Sequence, residues 1–275
     1  MRTFDFAASA IFLALTCFAC GSPQAAPLAE ETSAPRSATV ETPHTAEGVD
    51  LAPWERVLEK AAVDGGVDYA ALAKSSADLD AFVASLATAE PAVLEHDGQV
   101  AFWINAYNAL VIRSVLDRYP DVESVLKIEG FFDKELHRVA GEDLTLNQVE
   151  GKARALGDPR VHFALVCASI GCPDLSGEAY RREALEEQLA RQTRDYLANP
   201  DKGLRYEAGE TVLYLSMIFD WYAEDFGGDA FAWIVPHLPQ SLAAEIRAKG
   251  PELRFLDYDW GLNDRSRERR AEAGR

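Results

Sequence analysis

The stretch VHFALVCASIGCPDL, residues 161–175, organises the predicted fold. Residues 161–166 form an apolar run that includes His162, and turn-forming residues flank the stretch. A short apolar run bounded by turn signals indicates a fully buried strand. The small residues that follow indicate a loop that presents Cys167 and Cys172. We expect the reactive groups of the chain to meet where this strand ends, because catalytic groups concentrate on loops held by a rigid scaffold.

A second apolar segment, residues 99–118, predicts a helix in the centre of the domain. Its sequence, QVAFWINAYNALVIRSVLDR, is apolar on nearly every side of a helix, and such helices lie in a protein interior. Asn105 and Asn108 fall three residues apart on one face. Because a buried amide needs hydrogen-bond partners, two interpretations are open. These side chains either tie down a neighbouring loop or orient a catalytic group or a substrate.

Two β-hairpins are also predicted. Residues 136–147 and residues 204–215 each show alternating apolar and polar residues around a glycine-containing turn, which is typical of two antiparallel strands. Together with the strand at 161–167 and the helix at 99–118, they predict an α+β fold. We expect a single domain in which a mixed β-sheet packs against helices, with one buried central helix.

The first residues predict export. Residues 1–19 carry Arg2 and then an apolar stretch, as secretory signal peptides do. Cys20, between small residues, resembles the lipidated cysteine of a bacterial lipoprotein; simple secretion after cleavage at Gly21 is the alternative. In either case we expect the mature protein in the periplasm. A lipid on Cys20 is then its expected contact with the membrane.

Three further segments follow from composition. Residues 20–50 are rich in Ala, Pro, Ser, Thr and Glu without hydrophobic periodicity, which predicts a disordered tether. Residues 51–264 are predicted to form the globular domain, and residues 265–275 a charged tail. The net charge of -18 argues against a nucleic-acid partner, because phosphate binding requires clustered Lys and Arg. The expected partner is an unidentified ligand or substrate in the cell envelope.

The cysteines are the main candidates for chemistry, with Cys167 or Cys172 as the nucleophile. A thiol becomes a nucleophile when a nearby base or positive charge favours its thiolate. In an extended segment, His162 and Cys167 would be about 16 Å apart, so we predict that His162 is a core histidine. His137, from another strand, is the predicted base. Candidates for orienting this base are Asn105, Asn108, Asp220 and Asp225.

Three hypotheses are compatible with these residues. The first is a thiol-dependent hydrolase or acyltransferase that acts on amide or ester bonds in the envelope. The second is a non-catalytic envelope-binding or scaffold module with a structural Cys167–Cys172 disulfide. The third, a redox or metal site, is disfavoured because neither C-x-x-C nor a zinc-knuckle spacing is present. No cofactor or metal is expected.

Several motifs also resemble a bacterial, exported branch of the domain-of-unknown-function family numbered 547. The resemblance spans about residues 53–264. It implies one domain and an exported bacterial setting, and it brings no established activity. It also implies a histidine after Glu150, where this chain has Gly151. The motifs are AFWINAYNALVIRSVL, GFFDKELHRVAGEDLTLNQVE, DPRVHFALVCASIGCPDL with EAYRREALEEQL, LYLSMIFDWYAEDFG and LDYDWGLND.

Overall fold

The structure, a computed structural model, describes residues 48–266. The predicted signal peptide at residues 1–19 and Cys20 lie outside the described residues. So do all but the edges of the predicted tether and of the charged tail.

Helices contain far more of the described residues than strands do. The longest, α4, lies at the centre of the larger of two hydrophobic clusters, and it is buried on nearly every side. The predicted central helix is therefore confirmed, with different ends. In the described part of the chain the helices are α1 (Ala52–Ala61), α2 (Tyr69–Lys74), α3 (Ala77–Leu86), α4 (His96–Leu116), α5 (Leu146–Arg154), α6 (Leu185–Ala198), α7 (Ile218–Trp221), α8 (Ala230–Ile234) and α9 (Gln240–Lys249).

The strands are short and form three separate sheets. Strands β1 and β2 pair with each other, β3 pairs antiparallel with β4, and the third sheet has the order β5-β6-β7. In the third sheet β6 runs antiparallel to β5 and parallel to β7. The strands are β1 (Ala62–Val63), β2 (Gly66–Val67), β3 (His137–Val139), β4 (Glu142–Leu144), β5 (Leu204–Glu207), β6 (Val212–Leu215) and β7 (Glu252–Phe255).

The α+β fold class is confirmed, and both predicted hairpins are present as β3-β4 and β5-β6. The expectation that these hairpins share one sheet is wrong, because they belong to different sheets. The first hairpin also ends earlier than predicted. Thr145 and Gln148 form a capping box there, in which each side chain binds the backbone of the other residue. This arrangement starts α5 directly after β4.

The predicted strand at 161–167 is also wrong. Residues Pro159–Phe163 form a 3₁₀ helix, and Asp158 caps it by accepting a hydrogen bond from the backbone N–H of Arg160. A capping aspartate followed by proline at the first helical position favours a helical turn. After this turn, the Asn108 side chain donates to the carbonyl of Ala164 and accepts from the N–H of Val166. The Asn108 side chain thus satisfies two backbone groups that a neighbouring strand would bind if this segment were part of a sheet.

The smaller hydrophobic cluster contains Phe163, Tyr196 and residues of β5 and β6, together with residues of α7, α8 and α9. Tyr258 packs against both clusters. Among residues 48–266, no helix has the length and apolar character needed to cross a bilayer.

Candidate functional site

A cavity of about 220 Å³ lies where α5, the 3₁₀ turn and the loop after Cys167 meet. Its volume is below the roughly 300 Å³ at which pockets for drug-sized ligands begin. It therefore suits a small ligand or one end of a larger one. Its lining residues are Tyr107, Phe132, Asn147, Glu150, His162, Leu165, Cys167, Cys172, Pro173, Ile218, Trp221, Tyr222, Tyr258 and Trp260.

His162 is held in this pocket by Asp225. Its Nε2 lies 2.8 Å from Asp225 Oδ2, and Arg154 Nε donates to the same oxygen at 2.7 Å. Burial lowers the pKa of His162 to about 4, and the hydrogen bond to Asp225 opposes this effect. The Arg154 guanidinium in turn holds the pKa of Asp225 below its ordinary value. At neutral pH a neutral imidazole therefore donates its Nε2–H to a charged carboxylate.

Glu150 is a second carboxyl group in the pocket wall, and its side chain is only 15% exposed. Burial raises its pKa, while a hydrogen bond from the Tyr222 hydroxyl at 2.8 Å favours the charged form. Arg154 Nη1 lies 3.9 Å from the same carboxylate. The Arg154 guanidinium also stacks on the Tyr222 ring, 4.4 Å from its centroid. A cavity that collects several titratable groups with shifted pKa values is a candidate functional site.

Cys167 and Cys172 are joined by a disulfide in the pocket wall. This pairing confirms the alternative in which the two cysteines are bonded to each other. Cys172 is 2% exposed and Cys167 is partly exposed. The hydroxyls of Ser169 and Tyr258 lie 3.3 and 3.2 Å from Cys172 Sγ. They lie 3.1 and 3.4 Å from Cys167 Sγ.

The loop that carries the disulfide is fixed by the last segment of the described chain. Ala168 has a positive φ of 66°, so the backbone turns sharply directly after Cys167. The N–H of Ile170 donates to the carbonyl of Gly261, and the N–H of Gly171 donates to the carbonyl of Asp259. A Cβ atom on Gly171 would lie 3.0 Å from the Asp259 nitrogen and 3.1 Å from the Tyr258 ring. Only glycine allows this close approach without displacing the segment.

Three aromatic rings form one wall of the pocket. Trp221, Tyr258 and Trp260 pack against one another, with ring centroids 4.7 to 5.7 Å apart. Trp221 is 44% exposed. Exposed aromatic surface next to a concave site is typical of ligand-binding grooves.

The structure places His162, and not His137, in the same pocket as the two cysteines. His162 lines the same pocket as Cys167, so its exclusion on strand geometry is corrected: the segment is not extended. The prediction that His162 is buried and hydrogen-bonded is confirmed. Asp225, a candidate for orienting His137, instead binds His162.

His137 lies on β3, outside the pocket lining. Burial lowers its pKa, and the charges of Asp117 and Arg118 act on it; both follow the C-terminal end of α4. Asn108, which holds the segment before Cys167, is nine residues from Asp117, or about 14 Å along a helix axis at ~1.5 Å per residue. His137 and the two cysteines therefore do not line the same pocket, as their predicted pairing requires.

Asn105 is also outside the pocket lining. It accepts from Trp54 Nε1 at 3.2 Å and from the backbone N–H of Tyr180 at 3.0 Å, and it donates to the carbonyl of Tyr180 at 2.8 Å. These contacts match the interpretation of a structural amide that ties down a neighbouring segment. A catalytic role for Asn105 or His137 stays a prediction.

Five residues of the pocket wall were not identified from the sequence. They are the acidic residue Glu150 and the aromatic residues Tyr222, Trp221, Tyr258 and Trp260. All five lie within the motifs quoted above, but their residue types alone did not single them out. Within residues 48–266, no group of three or more His, Cys, Asp and Glu side chains is arranged to hold a metal ion.

Comparison with known families places part of this site in a recognised domain. Residues 91–197 match the family model described as "Protein of unknown function, DUF547". These residues are similar to that family. The match is narrower than the expected span of 53–264, and it contains Glu150, His162 and both cysteines of the pocket. The aromatic wall of Trp221, Tyr258 and Trp260 lies outside the matched residues, nearer the C-terminus. No curated protein and no solved structure matches the chain.

Proposed function

We propose that the chain is a binding module whose pocket holds a small organic cation with an apolar part. The observation that carries this proposal is the buried carboxyl group of Glu150 in a cavity that six Phe, Trp and Tyr side chains also line. In this oxidised form both pocket sulfurs are bonded to each other, so the proposed role is binding without covalent chemistry.

The charges around the pocket favour a cation. Glu150 and Asp225 are two carboxylates and Arg154 is one guanidinium, while His162 is neutral at neutral pH. One negative charge is left over, on the partly desolvated Glu150. A cation that enters the cavity compensates this charge, and the net charge of -18 on the chain raises the local concentration of cations.

The aromatic groups favour a cation over other polar ligands. Ring faces attract organic ammonium groups, with about 0.5 to 2 kcal/mol per favourable contact. Arg154 already makes one such contact with Tyr222. Trp221 offers an exposed ring at the pocket. A ligand with an apolar ring and an ammonium group uses the wall and the carboxylate at the same time.

Fluorescence titration of the oxidised protein tests this proposal with three ligands of similar shape: benzyltrimethylammonium, benzyl alcohol and benzoate. We expect saturable quenching, with the tightest binding for the cation and the weakest for the anion. Glu150→Gln should remove the preference for the cation, and Trp221→Ala should weaken binding of both the cation and the alcohol. Glu142→Gln, at an exposed carboxylate of β4, is the matched control. Equal affinity for all three ligands would contradict the proposal.

A second function is favoured by a specific observation, the hydrogen bond between His162 and Asp225 in the pocket that Cys167 lines. We propose that reduction of the disulfide frees Cys167 as a nucleophile with His162 as its base and Asp225 as the orienting group. This candidate is a hydrolase or acyltransferase for amide or ester bonds. Iodoacetamide labelling of the reduced protein tests it. His162→Gln should slow labelling of Cys167, and His137→Gln should not.

We also propose export and lipid anchoring, supported by the signal-type sequence at residues 1–19 and by Cys20. Mass spectrometry of the mature protein tests this proposal. A diacylated Cys20 at the mature N-terminus is the expected result. An unmodified N-terminus at Ser22 indicates simple secretion instead, and a retained Met1 would overturn export.

A further inference from the structure

The two sulfur atoms of the disulfide have different surroundings. Cys172 Sγ accepts a hydrogen bond from the backbone N–H of Cys167 at 2.9 Å, and its residue is 2% exposed. The hydroxyls of Ser169 and Tyr258 lie within 3.3 Å of the same sulfur. Both hydroxyls also lie within 3.4 Å of Cys167 Sγ, so the backbone N–H and the deeper burial are what distinguish Cys172 from Cys167. Cys167 is the partly exposed member of the pair, and both cysteines line the pocket.

We propose that this disulfide is a site of thiol–disulfide exchange, at which a small external thiolate attacks Cys167 Sγ. A new S–S bond forms between the external sulfur and Cys167, the Cys167–Cys172 bond breaks, and its electron pair leaves on Cys172 Sγ. A second external thiolate then attacks the external sulfur of this mixed disulfide and releases Cys167. In the complete reaction two thiols are oxidised to one disulfide, and the protein disulfide takes up two electrons and two protons.

The geometry selects Cys172 as the leaving group because negative charge develops on the sulfur that leaves. The backbone N–H of Cys167 is already directed at Cys172 Sγ and selects this sulfur. The two hydroxyls lie within 3.4 Å of both sulfurs and can donate to the one on which the charge develops. Donors that are in place before charge develops stabilise it without reorganisation. The loop is also anchored to the last segment through Gly171, which keeps these donors in position.

Access selects Cys167 as the attacked sulfur. In thiol–disulfide exchange the attacked sulfur must be reachable along the axis of the S–S bond, and burial protects the other sulfur. The cavity of about 220 Å³ next to Cys167 admits a small thiol. This inference is independent of the ligand proposed above, because exchange requires no cation in the pocket.

Mapping of the mixed disulfide tests the proposal. Folded, oxidised protein is mixed with 2-mercaptoethanol, quenched with acid, alkylated and digested for mass spectrometry. We expect the mercaptoethanol adduct on Cys167 and the alkyl group on Cys172. A mercaptoethanol adduct predominantly on Cys172 would overturn the proposal. Reduction that occurs only after unfolding in guanidinium would overturn it as well.

Donor variants provide a second readout. Tyr258→Phe and Ser169→Ala should each slow reduction of the folded protein by roughly tenfold, because each hydroxyl can donate to the charge that develops on Cys172 Sγ. Tyr206→Phe is the matched control, because the Tyr206 hydroxyl has no hydrogen-bond partner in the described structure. All variants should be reduced at one common rate when unfolded. Equal rates in the folded state would contradict the role of the donors.

The size of the thiol is tested with the same assay. A ten-residue peptide with one cysteine replaces 2-mercaptoethanol at equal thiolate concentration. We expect the peptide to react more slowly, because the attacked sulfur lies in a small cavity. Faster reaction with the peptide would overturn the small thiol as the substrate class. The cation titration on oxidised protein is a separate measurement, so failure of one proposal does not affect the other.

Discussion

The imidazole of His162 and the carboxylate of Asp225 are 2.8 Å apart, although 63 residues separate them in the chain. Aromatic rings enclose the imidazole, with the centroids of Tyr222 and Phe226 at 4.2 and 5.3 Å. This enclosure explains why burial dominates and why the pKa of His162 falls to about 4.

The first prediction concerns acid stability. The pKa of His162 is lower in the folded protein than in the unfolded chain, so the unfolded chain binds the proton first as the pH falls. Stability should therefore be lost from about pH 6.5 down to about pH 4, by an amount on the order of 3 kcal/mol at ~1.4 kcal/mol per pKa unit. Urea unfolding at several pH values measures this loss.

Two variants separate His162 from other titrating groups. His162→Gln should lose less stability across this pH range, because the amide can still donate to Asp225 and does not titrate. His96→Gln should keep at least the full loss, because Asp97 raises the pKa of His96 in the folded protein and this shift adds stability as the pH falls. The same pH dependence in His162→Gln as in the wild type would contradict the assignment.

The second prediction concerns the pH dependence of ligand binding. Burial raises the pKa of Glu150, and a cation in the pocket favours the ionised carboxylate. The affinity for benzyltrimethylammonium should therefore fall as the pH is lowered through the pKa of Glu150, and binding should release protons. Calorimetric titration in two buffers with different ionisation enthalpies detects this release. Glu150→Gln should bind without proton release; unchanged release would exclude Glu150 as the group.

The third prediction concerns the amides of α4. Asn108→Ala leaves the carbonyl of Ala164 and the N–H of Val166 without their partner, at a cost of ~1 to 3 kcal/mol for each buried group. Urea unfolding should show this loss, and the affinity for benzyltrimethylammonium should weaken. Asn105→Ala is the control, because it removes comparable bonds to Tyr180 away from the pocket. Its stability should fall while its affinity stays unchanged; equal affinity loss in both variants would contradict the positioning role of Asn108.

The fourth prediction concerns two glycines. Gly151 lies inside α5, and a Cβ there would meet no atom within 4 Å. Gly151→Ala should therefore raise the free energy of unfolding by ~0.5 to 1 kcal/mol, from helix propensity. Gly171→Ala should lower it, because its Cβ would crowd Asp259 and Tyr258. Thermal unfolding measures both, and a destabilised Gly151→Ala variant would show that the α5 surface has less room than described.

Sequence reasoning succeeded where one local pattern decides the structure. The 99–118 segment is apolar on nearly every side, so a buried helix was the only good solution. The β3-β4 and β5-β6 hairpins followed from alternation around a turn. The capping box of Thr145 and Gln148 was also a local signal for α5, and the hairpin interpretation concealed it.

Predictions from the sequence were wrong where contacts between residues far apart in the chain determine the local structure. A short apolar run such as residues 161–166 fits a strand or a buried helical turn equally well, and hydrogen bonds to Asn108 decide between them. The pocket depends on long-range contacts of the same kind. Tyr222 binds Glu150 across 72 residues, and Tyr258 reaches Cys172 across 86 residues. No spacing rule connects such residues.

The most direct test of the binding pocket is ¹⁹F NMR of protein labelled with 5-fluorotryptophan. The chain has five tryptophans; Trp221 and Trp260 line the pocket, and the other three do not. On titration with benzyltrimethylammonium, the resonances of Trp221 and Trp260 should shift together and saturate, while those of Trp54, Trp103 and Trp233 stay in place. Unshifted resonances of Trp221 and Trp260 at saturating cation, or a larger shift at Trp233, would contradict the account.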